Sequence, residues 1–425
     1  MKELKNLLIL ILISILIAGC TQSEKASTPT PTPTLTPTSI PTPTPQPAPE
    51  IKEIKIGVLV PKTGRFQTSG VAMENAARLA EKHISEMGLA KRYKITLEIA
   101  DCGDTAEKAK SAFLELANRG VIAIVGTYSS PQSIACADSA KETGTPFIIS
   151  VGSSGMIEQK VDEGNRYVFR NAYNTTYWGI LAAEFLRISN AEGYYFQGFQ
   201  PLSTFNQGML KIIKERTNLP LIAETYYNPK VDPKDVQNQA KTAASATGER
   251  DVVILGDPGS LAVSYLKEYR KNNGSGIVYS VGGVLALPHV LKGLNRTADY
   301  TAFQAAALEG VRKSEFTEKY FADYRKEFGE EANNYAGVLT YDAILILAQA
   351  LENVNAKGSK EIKDQLIDVL EKGEFTSASG KYRFNDKHQA LWGSKELQGI
   401  IAEWINGKAV IVYPEKLAES EVAWP

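Results

Sequence analysis

The sequence predicts an α/β protein made of two doubly wound, Rossmann-like lobes joined by a three-segment hinge, and three observations carry that expectation. Apolar β-branched runs alternate with segments of helical period from residue 51 onward. The alternation restarts after about residue 172 and builds a second unit of similar size. A chain of 425 residues is also too long for one compact unit and suits two.

IKIGVLVP (54–61) is a continuous apolar run, as a strand buried on both faces requires. After KTGRFQTSG, residues Ala72, Ala76, Leu79, Ala80 and Ile84 share one helical face. ITLEIAD (95–101) reads as the next strand, 105–118 as a helix, VIAIVG (121–126) as a strand and PQSIACADSAKETG as a short helix. PFIIS (146–150) and YVFRN (167–171) are the fourth and fifth strands. This spacing predicts a parallel sheet with right-handed crossovers. The second unit starts with a helix near 176–188 and GYYFQGF (193–199), followed by a helix at 203–216 and LIAETYY (221–227). A helix at 232–246, VVILG (252–256), a helix at 259–271 and GIVYSVGG (276–283) complete it. From about 302 the chain returns to long helices, one across Tyr335–Leu351, and then to GKYRFN (380–385). QGIIAEWI (398–405), a turn at Asn406-Gly407-Lys408 and AVIVYP (409–414) read as a hairpin, because Asn-Gly between apolar runs favours a tight primed turn. Crossings near 172, 302 and 385 would give one lobe from 51–172 and 303–384, and another from 173–302 and 385–425.

The N-terminus reads as an address. Lys2 and Lys5 precede an apolar run from Leu7 to Ile17, too short to span a bilayer, which ends in Ile17-Ala18-Gly19-Cys20. Small residues directly before a cysteine resemble the lipobox of exported lipoproteins, with residues 1–20 as signal peptide and Cys20 as the lipidated residue; a marginal membrane anchor is the alternative. Residues 21–50 are rich in Thr and Pro, and proline at alternate positions removes donors and favours polyproline II, so this segment is expected to be a stiff tether.

Composition narrows the function. Lys+Arg number 47 against 48 Asp+Glu, a net charge of −1, which argues against a protein that coats nucleic acid. Three cysteines (Cys20, Cys102, Cys136) and three histidines (His83, His289, His388) are too scattered for a Cys/His zinc site, and nothing in the sequence supports a metal held by carboxylates, so no metal or cofactor is assigned. An exported hydrolase lacks support, since there is no G-x-S-x-G elbow and few histidines for a triad. A sensor ectodomain would normally continue into a membrane span, whereas this chain stops at Glu419–Pro425. Asn174-Thr175-Thr176, Asn273-Gly274-Ser275 and Asn295-Arg296-Thr297 match the glycosylation sequon, a weak signal.

Two α/β lobes with the chain crossing between them make a cleft, and ligands bind outside the carboxyl ends of the strands. The loops there hold Thr63, Gly64, Ser69 and Gly70, then Thr127, Tyr128, Ser129 and Ser130, then Gly152, Ser153, Ser154 and Gly155. Hydroxyls and free N–H groups at helix N-termini suit a carboxylate. The same serines read equally well as helix N-caps.

GTYSSPQS followed by FIISVGSS, with IGVLVPKTGRFQTSG before them and GKYRFND and IAEWINGKAVIVYP after, resembles the branched-chain amino-acid (Leu/Ile/Val) binding proteins of ABC importers, the type I periplasmic binding proteins. The resemblance covers residues 51–425. It implies a monomer that captures a branched-chain amino acid or similar small carboxylate by hinge closure and hands it to an ABC permease and its ATPase subunits, with no catalysis. Carried over by position, Ser130, the Gly152 backbone and the Ser154 hydroxyl would hold the carboxylate, with Ser129 beside them. The family's covering aromatic in the first loop falls at Ser69, and that of the second lobe at Phe205. Family members that bind amino acids place a Glu near Gly282 to neutralise the ammonium; here it is Gly, which leaves Asp257 as the substitute, or a ligand without an amine, such as another small acid or amide. Asp257 reads equally as an N-cap. The resemblance also allows a Cys102–Cys136 disulfide, against which Cys136 in an Ala-rich helix reads as a packed thiol. A co-receptor that passes its ligand to a separate sensor would share all of these features.

Overall fold

The structure, a computed structural model, describes residues 52–425, which form one compact unit. The expected signal peptide, the lipidation site Cys20 and the 21–50 tether lie outside the described residues. Five strands make the first sheet: β1 (Lys52–Val60), β2 (Tyr93–Asp101), β3 (Ala123–Gly126), β4 (Phe147–Ile149) and β5 (Val168–Arg170). Their order is β2-β1-β3-β4-β5 and every pairing is parallel. The crossovers are α1 (Gln67–Glu86), α2 (Ala106–Asn118), α3 (Ser130–Thr143) and α4 (Met156–Asp162).

The second lobe alternates α5 (Thr175–Ile188), β6 (Gly193–Phe199), α6 (Ser203–Arg216), β7 (Leu221–Tyr227), α7 (Asp235–Ala246), β8 (Asp251–Gly256), α8 (Leu261–Lys271) and β9 (Ile277–Ser280). After α9 (Pro288–Leu294) comes β10 (Thr301–Ala305). The chain then returns to the first lobe through α10 (Glu315–Phe328), α11 (Ala336–Glu352) and α12 (Ser359–Lys372), and a small antiparallel pair, β11 (Phe375–Ser377) and β12 (Gly380–Tyr382), follows. It ends in the hairpin β13 (Ile400–Ile405) and β14 (Lys408–Tyr413), whose turn residues Asn406 and Gly407 both take positive φ, +49° and +79°. The second sheet has the order β14-β13-β10-β9-β8-β6-β7. It is mixed rather than wholly parallel, because β13 pairs antiparallel with both β10 and β14.

Burial explains why these runs form these elements. The strand cores Ile56–Val60 and Val252–Leu255 are buried throughout, being covered by helices on both faces. Helix α11 is predominantly apolar and buried from Ala336 to Ala348, lying against α1 and β3. Strand β10 has no sequence signal: TAFQA has one large apolar side chain and no β-branched aliphatic residue. It becomes a fully buried strand only because β9 and β13 supply pairing on both edges. The chain's second passage between the sheets therefore follows Ala305, inside the first residues of the segment expected for the first lobe. Cys102 and Cys136 are free, buried thiols of the first lobe's core, and burial pushes the Cys102 thiol up to about 12.

One buried acid gives the fold a pH dependence. Glu403 on β13 is 1% exposed, and among the described residues its side chain's only partner is the Ala423 N–H, which donates to Oε2 at 2.8 Å. Burial pushes this carboxyl up to about 7. A carboxyl whose pKa is raised in the folded state adds no pH-linked penalty while protonated and destabilises the fold as it ionises, so stability is lost as pH climbs from the ordinary carboxylate range through about 7. Scanning calorimetry between pH 5 and 8 is expected to show a smaller fall in Tm with rising pH for Glu403→Gln than for the native chain.

Candidate functional site

The loops after β3 and β4 form the floor of a cleft between the lobes. Ser129 caps α3 with a reciprocal box: its N–H and hydroxyl both donate to Gln132 Oε1, at 3.0 and 2.9 Å, and Gln132 Nε2 donates to the Gly103 carbonyl at 2.8 Å. Ser130 follows as the first helical residue, and its Oγ accepts the N–H groups of Ser153 and Ser154 at 3.2 and 3.1 Å. Two incoming donors occupy the oxygen's lone pairs and leave the hydroxyl proton to be given away. Gly152 packs tightly onto α3. A Cβ there would lie 2.0 Å from Ser133 Oγ and 2.8 Å from Ser133 Cβ, so only glycine lets the loop approach the helix start. Its N–H makes no backbone hydrogen bond with any described residue. The floor is thus a set of donors beside the N-terminus of a 14-residue helix, suited to an anion.

The walls are apolar and aromatic. Tyr128, Trp178, Phe205 and Tyr335 surround a narrow, partly open cavity together with Val151, Leu202, Pro258 and Val281. Trp178 stands edge-on to Phe205 at 6.2 Å and lies 4.9 Å from Tyr335, and its Nε1 donates to Ser153 Oγ at 2.9 Å. Among the described residues the Tyr335 hydroxyl is buried with no hydrogen bond of acceptable geometry, although the Ser153 side chain and the Tyr173 backbone lie beside it, and burial holds the phenol well above its usual range. An unpartnered buried hydroxyl is costly, and a ligand oxygen would relieve it. No acidic or basic side chain lines this volume among the described residues.

Of the residues singled out from sequence, Ser129, Ser130, Gly152 and Phe205 line the cavity. Ser69, Ser154, Asp257 and Gly282 stand behind its wall. Ser69 Oγ donates to the Tyr128 hydroxyl at 3.2 Å, which in turn donates to the Pro258 carbonyl across the cleft at 3.2 Å, so Ser69 orients a wall residue. Ser154 Oγ accepts the Met156 N–H at 3.2 Å, a capping contact at the start of α4, and its carbonyl accepts from Arg170 Nη1 at 2.8 Å. Gly282 has φ +81° and ψ −134°, a region that side chains rarely adopt, with Trp178 Cη2 3.4 Å from where a Cβ would sit. Asp257 is fully buried and fully engaged: Arg65 Nη2 donates to Oδ1 at 2.5 Å, the Gly259 N–H donates to Oδ1 at 2.8 Å, and the Tyr227 hydroxyl donates to Oδ2.

Trp178, in the first turn of α5, and Tyr335, the residue that precedes α11, were not among the candidates read from the sequence. Tyr335 was legible only as the start of α11, and Trp178 as part of the apolar face of α5. Aromatic residues at the mouth of a helix beside a crossing segment were the available signal.

The periplasmic binding protein family model matches residues 53–397. The chain belongs to the periplasmic binding protein family. Among curated relatives, this periplasmic binding protein is 22% identical over 389 residues to Leu/Ile/Val-binding protein homolog 7 of Brucella suis, covering 88% of this chain and 94% of that one. Among solved structures it matches the branched-chain amino acid transporter substrate-binding protein LivJ of Streptococcus pneumoniae in complex with isoleucine. The TM-score is 0.73 and the identity 20%, over 88% of this chain and 100% of that one. It also matches an ABC-transporter solute-binding protein of R. palustris in complex with benzoate, with a TM-score of 0.71 and 16% identity, over 85% and 95%. These structures share the two-lobed type I fold. Among the described residues no helix is long and apolar enough to cross a membrane.

Proposed function

We propose that this periplasmic binding protein captures a small carboxylate that carries an apolar, preferably aromatic, body and no amine, and delivers it to an ABC permease and its ATPase subunits. The observation that carries this reading is the charge inventory of the cleft: donors at one end, four aromatic rings around the body, and no acidic side chain to meet an ammonium. An ammonium buried without a partner costs several kcal/mol, more than a single hydrogen bond to a charged group returns. In this reading the Ser130 hydroxyl and the Gly152 N–H hold the carboxylate, Tyr335 donates to a ligand oxygen, and Trp178 and Phe205 bracket the body. The protein acts as a monomer and by binding alone, and a lipid on Cys20 with the 21–50 tether keeps it at the outer face of the cell membrane.

A branched-chain amino acid is the second reading, favoured by the names of the curated relatives and by the isoleucine bound in LivJ. The benzoate bound in the R. palustris protein shows that the same fold accommodates an amine-free acid. Thermal-shift screening separates the two. Benzoates and branched-chain 2-keto acids are expected to raise Tm by several degrees at millimolar concentration, and leucine, isoleucine and valine to leave it unchanged. Stabilisation by the amino acids alone would reject the proposal.

A further inference from the structure

Asp257 sits immediately after β8, at the carboxyl edge of the second lobe's sheet, next to the cavity-lining Pro258. It is the acid that adjoins the cavity lining in sequence, and its charge is already matched from the opposite lobe. Arg65, in the loop between β1 and α1, extends across the cleft to place Nη2 2.5 Å from Asp257 Oδ1. Its guanidinium carbon lies 3.6 Å from the centroid of the Phe199 ring and 4.8 Å from that of Phe66. Phe66 in turn packs against the wall residue Tyr128 at 4.7 Å. Among the described residues the Arg65 Nε and Nη1 are buried with no hydrogen-bond partner, so the side chain is not held there by a full set of its own bonds; Asp257 and the two rings hold it.

We propose that Arg65 is a specificity-determining residue: its guanidinium stands in for a ligand ammonium at Asp257, so the cleft closes with its charges balanced before any ligand enters. This inference deepens the proposed function and rests on it. Two consequences follow from the geometry. A ligand bearing an amine finds no free carboxylate, and is excluded by the cost of burying its charge unpaired. A ligand without an amine meets a site whose closure already includes one cross-cleft ion pair, so it need supply less of the closing energy itself. Removing the guanidinium reverses the first consequence, because it leaves a fully buried, uncompensated carboxylate beside the vacated space.

The test uses the full-length chain in detergent, titrated calorimetrically with benzoate and with phenylalanine, for the native protein, Arg65→Met, Arg65→Lys and the double variant Arg65→Met/Asp257→Asn. Methionine keeps the packing against Phe199 and removes the charge. Arg65→Met is expected to weaken benzoate binding and to gain at least about tenfold in affinity for phenylalanine, a selectivity change that general loosening of the fold would not give. Arg65→Lys, which still offers a cation to Asp257, should keep the native preference, and the double variant should lose the gained phenylalanine binding. If Arg65→Met does not fold, Arg65→Gln, with a polar head and no charge, is read in its place. The inference is overturned if the uncharged variant still binds benzoate but gains nothing for phenylalanine, or if the gain survives Asp257→Asn. Tight phenylalanine binding by the native protein would instead sink the amine-free reading itself, and the Arg65→Met comparison keeps the two failures apart.

Discussion

Ser130→Ala is expected to lower the affinity for the bound carboxylate by about 10- to 100-fold, matching the ~1.5–3 kcal/mol of a hydrogen bond to a charged group. Two losses combine at this position. The ligand loses the hydroxyl proton, and the Ser153 and Ser154 N–H groups lose the oxygen that accepts both of them. The second loss frees the loop after β4, so the effect should include a faster off-rate as well as a weaker complex. Ser129→Ala serves as the comparison, since that hydroxyl is spent on Gln132 and caps α3 rather than facing a ligand. It should lower Tm by the amount typical of a lost cap, about 1 kcal/mol of stability, with a smaller change in affinity. Equal affinities for Ser130→Ala and the native chain in a calorimetric titration would remove Ser130 from the site.

Gly152→Ala should be as damaging, for a steric reason. The added methyl would meet Ser133 Oγ at 2.0 Å, far inside contact distance, while Ser133 is itself fixed by its bonds to Thr127 Oγ1 at 2.8 Å and to the Ser129 carbonyl at 3.0 Å. Overpacking of this kind costs about 1–3 kcal/mol of stability, and the displaced loop carries the donors of the carboxylate site away with it. The double variant Gly152→Ala/Ser133→Gly removes the colliding atoms and is expected to recover most of the stability and part of the binding. No recovery, measured by melting and titration together, would mean that close approach to α3 is not what glycine provides here.

Much of this arrangement is written in the sequence because both periodicity and punctuation are strong. The strand runs of the first lobe, the alternation of the second lobe as far as β9, and the Asn-Gly hairpin each pair a local signal with the tertiary role it takes. Strand β10 is the instructive exception, since its identity comes from neighbours on both edges rather than from its own residues. The floor of the cleft was legible for a related reason: Ser129, Ser130 and Gly152 lie within three residues of a strand end or helix start, where chain direction alone brings them together. The walls were not, because Trp178 and Tyr335 reach the cavity from α5 and the start of α11, which the sequence separates by more than 150 positions. Asp257 shows the limit most clearly. Its position beside the cleft follows from β8, but its pairing with Arg65, 192 residues away, depends on how the two lobes meet.

In the proposed function the cleft recognises a carboxylate and has no place for an ammonium. Leucine and 4-methylpentanoate differ only in the α-amine, so calorimetric titration of the native protein with this pair isolates that one group. The expected result is measurable binding of 4-methylpentanoate and an affinity for leucine at least about tenfold weaker, a gap of 1.4 kcal/mol or more. Leucine binding more tightly than its amine-free counterpart would contradict the account, and would require an ammonium partner within a cleft whose lining side chains carry no charge.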